Sequence, residues 1–193
     1  MYVRDAKNRD EVWLLDHIEA MELDETAFRS RDYVIAMDER AGDRAGFGRI
    51  RIHKPDDEEV CELTSIGVLE SWRGQGVGAH VVERLVTTAR DKGYSVAYVL
   101  TSEPEYLAQF GFGRIRSTQL PAVLQDRLDE KRQSIDPGAA PTRIDTERFR
   151  MPPRLREAFK GAYADDETDE PTEEPEDFGI DPDDATYKYD TGD

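Results

Sequence analysis

Between Val60 and Asp91 the order of apolar and polar positions changes its period. Val60 to Leu69 is a nearly continuous apolar and β-branched run, which predicts a buried strand. Glu70 to Arg73 is polar and predicts a turn, and the run Gly74-Gln75-Gly76-Val77-Gly78-Ala79 follows it. From Val77 the apolar residues Val81, Val82, Leu85, Val86 and Ala89 recur with a helical period, while Glu83, Arg84 and Arg90 fall on the opposite side. The spacing predicts an amphipathic helix that ends at Gly93.

The same reading extends in both directions. Tyr2 to Arg4 predicts a short strand, and Val12, Trp13, Leu15 and Ile18 predict a helix to about Met21, capped by Asn8 or Asp10. A second short helix is expected over Asp24 to Arg29 and a strand over Asp32 to Met37. In residues 45–53, Phe47, Arg49 and Arg51 alternate with Gly48, Ile50 and Ile52, the pattern of a half-buried antiparallel strand. Lys54 to Glu59 then reads as a hairpin loop. Downstream, Ser95 to Thr101 predicts a strand, Glu103 to Gln109 a short helix with Pro104 in its first turn, and Phe110-Gly111-Phe112 the entry to a last strand ending near Arg116. The succession is α/β around a mixed sheet and sets a core over residues 1–118.

Residues 119–163 predict a helical C-terminal extension. A helix over 119–134 carries Pro121 in its first turn, a Pro/Gly linker spans 136–141, and 142–150 is irregular or a strand. Pro152-Pro153 opens a further helix whose Leu155, Phe159 and Tyr163 stand one turn apart. Such a helix has to cover something: its own core, a substrate groove or a second copy of the chain, as in a homodimer.

Charge divides the chain again. The formal net charge is −17, from 43 acidic and 26 basic residues, and residues 164–193 hold 14 of the acidic residues but only Lys188 among the basic ones. That segment has too little apolar surface to offset ordering entropy, so it reads as an acidic, disordered tail. Only six of the 26 basic residues are lysine, a balance that resembles salt-adapted cytoplasmic proteins. No basic run is available to neutralise phosphates, which excludes a primary nucleic-acid binder. No run reaches the roughly 20 apolar residues of a membrane span, and the N-terminus lacks an apolar signal region, so a cytoplasmic location is expected. The single cysteine, Cys61, sits in an apolar strand and reads as a small core residue. His53 and His80 have no ligand-spaced partners, so no metal site is expected, and His80 is placed on the exposed part of its helix. Arg49 and Arg51 share a strand face and read either as a bidentate site for a substrate carboxylate or, the plainer reading, as partners of the acidic surface.

A strand, a glycine-rich turn and a helix N-terminus in succession make an anion cradle, because glycines let the backbone approach and the helix dipole favours negative charge. A P-loop needs Lys followed by Ser or Thr after its last glycine, and Ala79-His80 stand there instead. The dinucleotide pattern G-x-G-x-x-A is present as Gly74, Gly76 and Ala79, but Glu70 to Arg73 intervene between it and the strand. The third pattern, Arg73-x-x-Gly76-x-Gly78 after Ile66-Gly67-Val68, resembles motif A of the GNAT superfamily of N-acetyltransferases.

That resemblance covers residues 1–118 and implies a fold, a cosubstrate and a reaction. It implies that the strand at Val60 and the strand at Ser95 part, and that acetyl-coenzyme A enters the slot. Ile66, Gly67 and Val68 would bond its pantetheine arm, Arg73, Gly74, Gln75, Gly76, Val77, Gly78 and Ala79 its pyrophosphate, and Ser102 or Thr101 a further cofactor group. The reaction implied is direct acetyl transfer to a primary amine of a small molecule or a protein. Glu62, sharing a face with Thr64, Ile66 and Val68 by period two, is the candidate base, and a salt-bridged strand carboxylate is the plain alternative. The family's general-acid tyrosine falls on Leu107. Tyr106 lies one residue earlier, turned by roughly 100° in a regular helix, and serves as the acid or as packing. The segments ELTSIGV-x4-RGQGVG and TSEPEYLAQFGF are further similar to the acetyltransferase part of N-acetylglutamate synthases, which implies an amino-acid α-amine as acceptor. The other class left open is a non-catalytic acyl-coenzyme A sensor or interaction module on the same fold.

Overall fold

The computed structural model describes residues 1–55 and 58–164. Apart from Ala164, the expected acidic tail lies outside the described residues. The strands are β1 (Tyr2–Asp5), β2 (Tyr33–Met37), β3 (Arg44–His53), β4 (Val60–Val68), β5 (Val96–Thr101), β6 (Gly113–Arg114) and β7 (Ala140–Asp145). The helices are α1 (Glu11–Ala20), α2 (Val77–Asp91), α3 (Pro104–Ala108), α4 (Ala122–Ser134) and α5 (Pro153–Gly161). One sheet runs in the order β1-β2-β3-β4-β5-β7-β6. Every neighbouring pair is antiparallel except β4 and β5, which are parallel and meet at Glu62 and Tyr98. This is the mixed, mostly antiparallel sheet flanked by helices that the pattern predicts.

Period-two alternation decides which helix each strand residue meets. Val34 and Ala36 turn to the face covered by α2, whose Val77, Val81, Val82, Leu85, Val86 and Ala89 are all buried there. Tyr33, Ile35 and Met37 turn to the other face, against Leu14 and Ile18 of α1. Burying a side chain such as Leu85 stabilises the fold by about 1.5–3 kcal/mol. Cys61 lies within the α2 cluster, and burial pushes its thiol up to about 12, as a core residue requires.

Several local expectations change. Asp24 to Arg29 is not helical: Asp24 accepts from the Thr26 amide at 3.0 Å, and Glu22 and Ala27 adopt φ of 52° and 51°. A side-chain oxygen that satisfies a nearby amide offers the backbone an alternative to a helix. Asp10 does not cap α1 with its side chain; it is buried and bridges Arg4 at 2.7 Å and Arg44 at 2.9 Å. The Arg4 hydrogen bonds hold its carboxyl far below the usual range. β3 is buried on both faces over most of its length. The sheet also crosses the boundary drawn at residue 118, because β7 is inserted between β5 and β6, with Val99 opposite Thr142 and Gly113 opposite Arg143. Helices α4 and α5 flank that strand in sequence, and α4 buries Leu124 and Leu128 against Val60 and Leu100.

Candidate coenzyme and acceptor site

The site is built where β4 and β5 part. Beyond Glu62 and Tyr98 the strands leave a cavity of about 410 Å³ lined by Leu63 to Ile66 on one side and Val99 to Ser102 on the other. A bulge shapes the β4 edge. Phe47 pairs with Gly67 but Arg49 with Thr64, so Ser65 and Ile66 together oppose Gly48, and Ser65 takes φ 48°. Gly48 permits this close approach, since a Cβ there would meet Val81, Leu85 and Ile66 at 2.6, 2.9 and 3.3 Å.

The bulge corrects the expected alignment of Glu62. Upstream of it Cys61 and Leu63 face α2; downstream Ile66 and Val68 do, so Glu62 and Thr64 do not share their face. Glu62 instead points into a buried cluster. Its Oε2 accepts from His53 Nε2 at 2.7 Å and lies 3.7 Å from Arg127 Nε, while Oε1 has no partner among the described residues. Burial raises this carboxyl, but the His53 hydrogen bond and the charges of Arg127 and Lys131 outweigh it and hold the pKa below the ordinary value. Arg127 also donates to Asp24, with Arg51 3.6 Å from the same carboxylate. Burial likewise works to raise Asp24, and the Thr26 hydrogen bonds with the charges of Arg127 and Arg51 bring it down. Arg49, 2% exposed, donates to the carbonyls of Thr26 and Ala27 and pairs with Asp32 at 3.5 Å. The two strand arginines therefore pair with acids, but inside the protein.

Lys131 of α4 lines the cavity and donates to Leu100 O at 2.6 Å; burial lowers its pKa. Glu22, Asp24, Glu103 and Asp136 line it as well. Ser102, a predicted cofactor residue, is exposed at its rim, its amide donating to Asp136 Oδ2 at 3.0 Å. Lys131, Asp24 and Arg127 carry no sequence motif and were not among the predicted site residues.

The glycine turn forms a second cavity of about 310 Å³, lined by Val68, Arg73, Gly74, Gly76, Val77, Gly78 and, from the far side, Tyr106, Gln109, Arg154 and Leu155, with Trp72 at its base. Ile66 lines the first cavity and Val68 the second, so the Ile66–Val68 segment connects them. The Arg73 amide donates to Glu70 O and the His80 amide to Gly76 O; among the described residues no amide from Gly74 to Ala79 is committed to a backbone carbonyl. Gly74 and Gly76 hold φ of 74° and 77°, which glycine adopts without strain. A loop of free N–H groups at a helix start fits a phosphate.

Gln75, His80 and Tyr106 differ in detail from their expected placements. The Gln75 side chain is committed to the chain end, donating to Tyr163 O at 2.7 Å and accepting from Tyr163 N at 3.0 Å. His80 is buried, its ring stacked on Phe159 at 3.8 Å between centroids, and burial lowers its pKa. Tyr106 opens into the cradle rather than the acceptor cavity, its hydroxyl 3.2 Å from where a Cβ on Gly78 would stand. The one-residue offset from Leu107, itself buried, accounts for that direction. Among the described residues no group of three His, Cys, Asp or Glu side chains could hold a metal ion, and no helix is long and apolar enough to cross a membrane.

Comparison with known proteins agrees with this geometry. Residues 2–112, more than half of the chain, match the profile of the Acetyltransferase (GNAT) family. An amino-acid acetyltransferase of Mycobacterium tuberculosis (strain ATCC 25618 / H37Rv) is 35% identical over 82 residues, 42% of this chain and 45% of that protein. The match thus spans less than half of that relative's length. A M. tuberculosis protein crystallised in complex with CoA superposes with a TM-score of 0.62 at 21% identity, covering 75% of this chain and 99% of that one. N-acetylglutamate synthase from Neisseria gonorrhoeae, complexed with coenzyme A and N-acetyl-glutamate, gives a TM-score of 0.58 at 16% identity, covering 73% and 34%. At these identities the superpositions establish the fold. With the family profile covering β1 to β5, the parted strands and the glycine loop, the chain belongs to the acetyltransferase (GNAT) family.

Proposed function

We propose that this chain transfers the acetyl group of acetyl-coenzyme A directly to the α-amine of a small amino acid. The observation that carries the reading is the parting of β4 and β5 beside a loop of uncommitted amides. The amides from Gly74 to Ala79 hold the pyrophosphate, Ile66 to Val68 offer backbone groups to the pantetheine arm, and the thioester lies toward Ser65. The amine attacks the thioester carbon, backbone N–H groups at the bulge stabilise the oxyanion, and the carbon–sulfur bond breaks as the proton given up by the attacking nitrogen passes through water to the departing thiolate. Glu22, Asp24, Glu103 and Asp136 favour an ammonium in the acceptor cavity, and Lys131 supplies a cation for a carboxylate. The acceptor class also follows the similarity to the mycobacterial amino-acid acetyltransferase.

Glu62 serves here as a buried partner of His53 and Arg127, because a carboxylate held below its ordinary pKa is a weak base. The α-amine of a free amino acid is more basic than a chain's N-terminal amine, whose pKa is about 8, so only a small deprotonated fraction is available near neutral pH and water takes the proton. The rate is therefore expected to rise with pH through the acceptor's own pKa. The test is thiol release from acetyl-coenzyme A against amino acids and polyamines at low and high salt. Turnover with amino acids supports the reading, and greater turnover at high salt supports salt adaptation; coenzyme binding without turnover on any amine replaces the reading with a sensor.

A further inference from the structure

Helix α5 lies outside the residues that match the family, yet it forms one wall of the cradle. It is fastened there at four points. The Leu155 carbonyl stands 2.4 Å from where a Cβ on Gly76 would be, so it rests directly on the loop. The Phe159 ring stacks on His80, whose Nδ1 donates to Gly76 O at 2.9 Å. Arg156 pairs with Glu83 of α2 at 2.7 Å. The Gln75 amide then clasps both backbone groups of Tyr163.

What this docking delivers to the cavity is a charge. Among the described residues the ionisable groups lining it are Arg73, Arg154 and the Tyr106 phenol, with no carboxylate. Arg154 is held across the opening by its Nη2 donating to Gln109 Oε1 at 2.6 Å, and Tyr106 stands edge-on to Phe110 at 5.3 Å between centroids. The cradle's own side supplies amides and the start of α2, whose first turn carries no acid.

Resting on the acetyl-coenzyme A reading, we propose that Arg154 and Tyr106 complete the coenzyme's diphosphate site from the side opposite the glycine loop. Each phosphate of a diphosphate carries one negative charge, which Arg73 and Arg154 together match. A guanidinium presents a planar fork that suits phosphate oxygens, and the phenol adds a single O–H donor. The adjustment required is small: Arg154 exchanges the neutral Gln109 oxygen for a charged one.

The test compares acetyl-coenzyme A with acetyl-pantetheine, which has the same thioester and no phosphate. Arg154→Ala, at an exposed position, should raise the Kd and KM for acetyl-coenzyme A about 10- to 100-fold with kcat within about threefold, and leave KM for acetyl-pantetheine unchanged. Tyr106→Phe should shift the same constant up to about tenfold. Arg156→Ala loosens α5 without touching the cavity. With α5 still held by its other contacts, Arg156→Ala should weaken binding less than Arg154→Ala; the proposal is overturned if Arg154→Ala binds acetyl-coenzyme A as the wild type does, or if both donors lose equally. A wild type with no affinity for acetyl-coenzyme A would sink the transferase reading itself, an outcome distinct from a wild type and an Arg154 variant that bind alike.

Discussion

Gly76→Val is expected to weaken acetyl-coenzyme A binding by at least about 100-fold, with isothermal titration as the measurement. Two independent costs meet at this position. The backbone holds φ 77°, where a β-branched residue is strained by about 1–3 kcal/mol. The new Cβ would also stand 2.4 Å from the Leu155 carbonyl, a backbone atom that cannot swing aside. Relief requires either a changed loop, which turns the amides away from the phosphate, or departure of α5, which removes Arg154. Gly74→Ala separates the two costs, because Gly74 has nearly the same φ of 74° but nothing within 4 Å of its missing Cβ. It should lose no more than about tenfold from strain alone. Equal losses at the two glycines would show that loop conformation, not the packing of α5, sets the coenzyme's affinity.

The legible part of this site is the part encoded in neighbouring residues. The strand at Val60, the glycine turn and the α2 stripe stand consecutively, and their periods and the αL demand of Gly74 and Gly76 are visible in sequence order. The bulge was not visible, because Ser65 adopts φ 48° in answer to Gly48 on another strand, and one inserted residue reverses the faces that alternation assigns. Asp24 reads as the start of a helix until Arg127, 103 residues away, is placed beside it. The β7 segment, of mixed polarity, reads as irregular or a strand, because its hydrogen-bond partners in β5 and β6 decide its conformation. The proline pair and the spacing of Leu155 and Phe159 announce α5, but Tyr163 lies beyond its end and is exposed, since its backbone is held by the Gln75 amide. Where its apolar face docks depended on Gly76 leaving room for a carbonyl.

The largest expected change in stability is at Arg127. Its guanidinium, 5% exposed, stands between Asp24 and Glu62, which are 3% and 0% exposed, and Arg127→Leu would leave both carboxylates short of their main cation. Removing one partner from a buried ionic cluster typically costs about 3–5 kcal/mol, so the thermal midpoint should fall by about 10 °C or more. His53, Arg51 and Lys131 remain nearby and soften the loss. The pH dependence gives the sharper test. In the wild type both carboxyls sit below their ordinary values, so their contribution is complete above about pH 4–5 and is lost only as pH falls through the lowered values. Without Arg127, burial is opposed more weakly and the folded-state values rise. A group whose folded pKa exceeds its unfolded one favours the fold in its protonated form, and that benefit disappears as pH climbs through the raised value. The deficit of Arg127→Leu should therefore shrink between about pH 8 and pH 5, while the wild type changes little over that range. Denaturant titrations at both ends of the range measure it. A deficit independent of pH would mean that Asp24 and Glu62 keep their charges without Arg127, and that His53, Arg51 and Lys131 are sufficient to hold the cluster.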